Sequence, residues 1–348
     1  MGFPTGPSSQ DPGSQLPRSG TASIFQRMAF YVVMARTVRE LLGLKRTVAL
    51  IAAGQTLVLF FSQVAWKKPF EAGNMSLEMQ TSYLVGYFVV ISFFWMAGIC
   101  LVYLVVGTSG LDLVDDERKK GTLLLMVSKP ISRSQLLLGK FLALVLTSVL
   151  LEGAILLGSV LVVWASLGLD PDTVSALLGV LPWIFLFSLL VVFMFAAVSM
   201  ALSTVVTGAV VRNIVFTIVV MLVFTAGPVM RMAWPDVYED YRLYYMDGSY
   251  NLGNAFMLAL DQAETGRLTP ESQAWLGITT GAYKAGPEEL LTALVGAMGA
   301  FDPDIGAMPP SMERTTYVPL AGSFGIFLAI TAAAIVVAGL ALRKEEVY

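Results

Sequence analysis

Six long, apolar stretches with almost no charged residues constrain the fold of this chain more than any other feature. They cover residues 47–66, 84–106, 141–169, 178–205, 213–230 and 320–342, and Glu152 is the only charged residue among them. Hydrocarbon offers the backbone no hydrogen-bond partner, so a segment that crosses a bilayer forms a helix of about 20 mostly apolar residues. The sequence therefore predicts an all-α integral membrane protein with six transmembrane helices.

The composition agrees with lipid as the solvent. The chain is 56% hydrophobic and only 14% charged, whereas a soluble domain is about 25% charged. It contains no histidine, which excludes Ser-His triads, histidine-ligated haem and most catalytic zinc sites. Its single cysteine, Cys100, lies in an apolar stretch and cannot form an intrachain disulfide.

The segment before the first span has two parts. Residues 1–23 are rich in Pro, Gly and Ser and are predicted to form a disordered cytoplasmic tail. Residues 24–46 are predicted to form an amphipathic helix in the membrane interface, and a plain cytoplasmic extension of the first span is the alternative. The apolar face of this helix would carry Phe30, Met34, Val38 and Leu41, and the opposite face Arg36, Arg39 and Glu40.

The rest of the chain divides into three predicted regions. Residues 47–230 hold the first five spans, residues 231–314 form a polar insertion, and residues 315–348 hold the sixth span and a short cytoplasmic tail. Apolar residues recur at helical spacing over 254–264 and 287–298, so the insertion is predicted to be small and mostly helical.

The distribution of basic residues predicts the orientation. With both termini in the cytoplasm, 15 of the 22 Lys and Arg residues lie on the cytoplasmic side, as the positive-inside rule requires. The 231–314 insertion then lies outside, where its five basic and twelve acidic residues give a net charge of −7. The sequence thus predicts a multi-pass protein of the cytoplasmic membrane.

The loop between the second and third spans, residues 112–140, is the most informative segment. Three acidic residues and three basic residues follow one another over 115–120, and a short apolar run over 123–127 ends before Pro130. Such a run is too short to span a bilayer, so it is predicted to form a short apolar helix on the cytoplasmic side. Exposed apolar surface usually marks a contact site, and a helix resting on lipid headgroups is the alternative.

This loop resembles that of ABC-2-type ABC transporter permeases. The resemblance rests on an acidic residue and a basic pair, Gly-Thr, a leucine-rich turn, Ser-x-Pro-Ile, an arginine and a Gly-Lys that enters a span. It implies a coupling helix that docks into an ATPase subunit, with three apolar residues at the centre and charged residues at the rim. The implied coupling residues are Glu117, Arg118, Gly121, Thr122, Leu123, Leu124, Met126, Pro130 and Arg133.

The sequence contains no phosphate-binding loop of the form G-x-x-x-x-G-K-[ST]. A permease of this family would therefore borrow ATP hydrolysis from a separate ATPase subunit and would itself hold no cofactor. Six spans make half a translocation path, so a second permease copy is expected as a partner. The extracytoplasmic insertion is a further candidate surface for a partner, and no feature indicates nucleic-acid binding.

Two polar residues within the spans are candidate functional groups. Glu152 lies in the third span, where an ionisable residue marks either a transport path or a hydrogen-bonded packing site. Gln55 in the first span is interpreted chiefly as an interhelical hydrogen-bonding residue.

Two other classes of function remain open from the sequence. An intramembrane enzyme would need paired acids, histidine or an intramembrane lysine, and the spans offer a single acid, Glu152. An ion-driven secondary transporter would leave the 112–140 loop without an explanation.

Overall fold

The computed structural model describes residues 19–63, 76–115, 133–263, 268–284 and 312–344. These residues form helices, and no β-strand occurs among them apart from one isolated bridge between Tyr283 and Arg314. Six helices are long and apolar enough to cross a membrane, which confirms the predicted all-α membrane fold. They are α2 (Leu44–Phe61), α3 (Leu77–Gly110), α4 (Arg133–Leu167), α5 (Pro171–Val205), α6 (Ala209–Ala233) and α10 (Leu320–Lys344).

Four of the spanning helices, α3 to α6, are at least six residues longer than predicted. α5 begins at Pro171, after Asp170 caps the helix by accepting a hydrogen bond from the Asp172 backbone N–H at 3.0 Å. Asp followed by Pro is a strong helix start, so the predicted start at residue 178 was late. α3 and α4, with 34 and 35 residues, also exceed the about 20 residues that a bilayer requires.

α3, α4 and α5 form the centre of the molecule. In the most apolar 18-residue stretch of each of these helices, more than half of the residues are buried. In α2, α6 and α10 the corresponding fraction is below a quarter. Side chains such as Val89, Leu101 and Val191 are completely buried there. The outer three helices therefore expose most of their apolar surface, as helices in contact with lipid or another membrane protein do.

The N-terminal helix α1 (Ser19–Leu41) lies against α4. Val33, Thr37 and Leu41 form its buried face, and Val33 lies beside Gly139 of α4. α1 ends earlier than the predicted boundary at residue 46, because Gly43 adopts an extended conformation with ψ 127° and separates α1 from α2. The charged residues Arg36 and Glu40 form an ion pair on the exposed side.

The insertion between α6 and α10 contains three further α-helices in its described part, and a short 3₁₀ helix over Leu243–Tyr245. The α-helices are α7 (Pro235–Asp240), α8 (Gly248–Gln262) and α9 (Pro270–Thr280). α8 starts six residues before the predicted helix 254–264, because Asp247 caps it through a hydrogen bond from the Tyr250 N–H. α9 was not predicted, although Thr269 and Pro270 form a typical helix start. The predicted helix 287–298 lies outside the described residues.

α8 packs into the bundle instead of standing above it. Phe256 of α8 contacts Phe93 of α3 and Phe187 of α5, with ring centroids 5.1 Å and 4.9 Å apart. Asn251 accepts a 2.9 Å hydrogen bond from Ser323 of α10. The insertion therefore contacts α3 and α5 near their middles and α10 near its start.

Candidate functional site

The 112–140 loop enters and leaves the bundle at the ends of α3 and α4. Its two described ends are residues 112–115 and 133–140, and Arg133 is the first residue of α4. The other predicted coupling residues lie outside the described residues: Glu117, Arg118, Gly121, Thr122, Leu123, Leu124, Met126 and Pro130. The structure therefore shows how the loop is anchored, while its docking surface remains a prediction.

Both ends of the loop meet at a group of charged residues that we call the loop-root cluster: Asp112, Asp115, Lys140 and Arg212. Arg212 comes from the start of α6, just after the turn that connects it to α5, and its side chain is completely buried. Its guanidinium contacts Asp112 at 2.5 Å and Asp115 at 3.1 Å. A buried guanidinium requires such partners, because an uncompensated charge in a dry site is very unfavourable.

Lys140 connects the two ends of the loop directly. Its buried Nζ donates a 2.6 Å hydrogen bond to the carbonyl oxygen of Leu113. The neighbouring Val114 N–H donates to the Ser203 hydroxyl of α5 at 3.1 Å. α3, α4, α5 and α6 thus all contribute to the site where the loop begins and ends.

The first span joins the same end of the bundle. Arg46 of α2 donates hydrogen bonds to the hydroxyls of Thr108 and Ser109 near the end of α3, at 2.9 Å and 2.7 Å. The sequence predicted Arg46 and Arg212 only as cytoplasmic charges that orient the chain. The sequence did contain a signal for this cluster. Arg212 lies in the short connection between two spans, and Asp112 and Asp115 follow the end of another span.

Glu152 is completely buried between α4 and α5, where its Oε1 accepts a 3.1 Å hydrogen bond from the Ser188 hydroxyl. Gln55 of α2 donates to the Ile155 carbonyl at 2.8 Å and accepts from the Ser159 hydroxyl at 3.1 Å. Both residues therefore form polar contacts between helices, and they lie in a different part of the bundle from the loop-root cluster.

A second buried charge network lies at the opposite end of α6. Arg231 forms an ion pair with Asp247, the capping residue of α8, and donates to the Ile278 carbonyl of α9 at 3.0 Å. The Tyr238 hydroxyl donates to the same carboxylate at 2.8 Å. Burial raises the pKa of Tyr238 above its ordinary value, so this hydroxyl keeps the proton that it donates. The network fastens the insertion to α6.

A cavity of about 300 Å³ adjoins this network and is lined by Tyr238, Tyr283, Tyr317 and Lys284, among others. Its charged groups already have partners, because Lys284 pairs with Glu313 and the Tyr317 hydroxyl donates to Glu239. Among the described residues, no three acidic, Cys or His side chains are grouped so that they could hold a metal ion.

The chain matches the model of a known protein family. The model of the family described as ABC-2 family transporter protein matches residues 73–347. This range covers α3 to α10, the 112–140 loop and the whole insertion. No curated protein sequence matches the chain at a significant level.

Proposed function

Because the chain belongs to the ABC-2 transporter family and is a multi-pass membrane permease, we propose that it is the permease subunit of an ATP-driven exporter. A separate ATPase subunit binds and hydrolyses ATP, and the 112–140 loop couples that subunit to the membrane helices. The observation that carries this proposal is the loop-root cluster, which connects the predicted docking loop to α3, α4, α5 and α6.

The two ends of the bundle differ as the proposed orientation requires. Lys140 and Arg212 lie at the end that carries the loop, whereas Trp164 and Trp234 lie towards the other end of the same two helices. The residues of each pair are about 33 to 36 Å apart along an ideal helix, which matches a hydrocarbon core of about 30 Å. Basic residues favour the cytoplasmic side and tryptophans the interfaces, which supports a cytoplasmic loop and an external insertion.

The packing of the centre supports a dimeric path. The interior between α3, α4 and α5 is filled by buried side chains such as Phe93, Leu144 and Phe195. A cargo path is therefore better placed at the surface of this centre, between two copies of the permease. α2, α6 and α10 expose enough apolar surface to contact a second copy as well as lipid.

Leu124→Asp tests the coupling proposal. Leu124 would lie at the centre of the docking surface, where the loss of an apolar anchor costs about 2 kcal/mol or more, roughly a 30-fold weaker Kd. We expect weaker copurification with the ATPase subunit and loss of permease-dependent stimulation of ATP hydrolysis, while the permease stays monodisperse. Ser132→Asp is the matched control, because it adds the same charge to the loop outside the predicted coupling residues and without removing an apolar side chain. A double variant, Leu123→Asp with Leu124→Asp, that still binds and stimulates the ATPase fully would contradict the docking proposal.

A further inference from the structure

Arg212 contacts both the beginning of the 112–140 loop and the connection between α5 and α6, which the family match does not imply. We propose that it is a positioning residue that makes the two described ends of the 112–140 loop, residues 112–115 and 133–140, and the start of α6 move as one unit. This inference rests on the proposed function, because the movement that Arg212 transmits is the one that the ATPase subunit imposes on the loop.

The contacts of Arg212 connect the two moving parts directly. Its Nη2 and Nη1 atoms contact Asp112 and Asp115 at the beginning of the loop, and Nη1 also lies 3.4 Å from the carbonyl oxygen of Val206 in the α5–α6 connection. Lys140, at the end of the loop, is bonded to the same four-residue segment through Leu113. Any displacement of the loop ends must therefore move Arg212 or break its ion pairs.

The two ion pairs differ in their access to water. The Asp112 side chain is 48% exposed, so water can replace the guanidinium there at small cost. The Asp115 side chain is only 6% exposed, so water cannot readily replace Arg212 there, and separating these two buried charges costs more. The Asp115 pair is therefore needed for the fold, whereas the Asp112 pair can be removed without leaving a buried charge alone. Movement of the loop ends reaches Arg212 through both pairs.

α6 is suited to follow this movement. Of its first 13 residues only Arg212, Phe216 and Val220 are buried, so few packing contacts oppose a shift of the helix. The turn before it contains Gly208 with φ +96°, a conformation that L side chains rarely adopt. At its other end Arg231 is bonded to Asp247 at the start of α8. A shift that starts at the loop would thus reach the insertion at the opposite side of the membrane.

The test follows the distance between α6 and α4 in the complex with the copurifying ATPase subunit. Spin labels are placed at Val229→Cys and Leu161→Cys, two exposed positions near the outer ends of these helices, in a Cys100→Ala background. We expect ATP with vanadate to change this distance in the parent. In the triple variant Arg212→Met, Asp112→Asn, Asp115→Asn, we expect the ATPase to bind within about two-fold of the parental Kd and the distance change to be lost.

Two further variants separate transmission from folding. Arg212→Lys keeps the charge and should restore at least half of the distance change. Asp112→Asn removes only the exposed ion pair and leaves no buried charge alone, so it should fold even where the triple variant does not, and should reduce the change by half or more.

A parental distance change in the triple variant, or in Asp112→Asn where only that variant folds, would overturn the inference. The inference would also be overturned if the parent binds the ATPase and the distance between the spin labels does not change with ATP and vanadate. A parent that binds no ATPase would instead overturn the proposed function, and this inference with it.

Discussion

At the residue scale, Glu152 illustrates what a buried carboxyl needs inside a membrane protein. Its Oε2 atom has no hydrogen-bond partner among the described residues, and Ser188 is the partner of Oε1. A charged carboxylate at the bilayer centre costs at least about 2.5 kcal/mol on insertion scales. Burial against protein, with a hydroxyl donor at hand, lowers that cost and explains how the third span tolerates an acid.

Glu152→Gln and Glu152→Leu distinguish a packing role from a transport role. Gln keeps an oxygen acceptor for Ser188, so we expect the free energy of unfolding of the Gln variant to stay within about 1 kcal/mol of the parent. Leu leaves the Ser188 hydroxyl without this acceptor and should cost about 1 to 3 kcal/mol. Thermal unfolding of the purified proteins measures both. Unchanged stability in the Leu variant would speak against the packing role, whereas a stable Gln variant that no longer stimulates the ATPase would reveal a role in transport.

At the scale of the elements, α8 differs most from what its sequence suggests. Its composition resembles that of a helix lying on a surface, yet Leu252, Phe256 and Leu260 are almost completely buried. Phe256 fills the space between Phe93 and Phe187, and Asn254 donates to Ser323 of α10 at 3.1 Å. The helix therefore forms part of the bundle core and reaches the middles of α3 and α5.

Phe256→Ala tests this packing. Removing a buried phenylalanine typically costs about 3 to 5 kcal/mol, so we expect a clearly lower unfolding temperature for the purified permease. Leu258→Ala is the matched control, because Leu258 lies on the same helix and is 36% exposed. Equal effects of the two substitutions would show that α8 does not insert between α3 and α5.

At the scale of the whole molecule, orientation is the property from which the functional proposal follows. Ser249 would be a poor reporter of the external side, because it is completely buried. Met246 in the insertion and Leu44 at the start of α2 are 87% and 79% exposed and so suit the purpose. With Cys100 replaced, an impermeant maleimide should label Met246→Cys in intact cells, and Leu44→Cys only after permeabilisation. The reverse pattern would invert the topology and place the 112–140 loop outside, away from any ATPase.

Much of the fold follows from local sequence. Apolar length alone sets the number of spans, because each helix satisfies its backbone within itself whatever its neighbours are. The errors concern helix ends, where caps such as Asp170 and Asp247 outweigh hydropathy. Helix α9 was not predicted because its apolar face is short, although Thr269 and Pro270 mark its start in the sequence.

The sequence by itself determined the six spans, the proposed orientation and the resemblance of the 112–140 loop to a coupling loop, because hydropathy, charge and short motifs are local properties. Only the tertiary structure decided which distant residues meet. Arg212 reaches Asp112 across 100 residues of chain, and Phe256 reaches α3 and α5 from the insertion. The packing of the helices determines these partners, because it brings together residues that are far apart in the sequence. No local sequence pattern specifies which distant residue a buried charge or ring will contact.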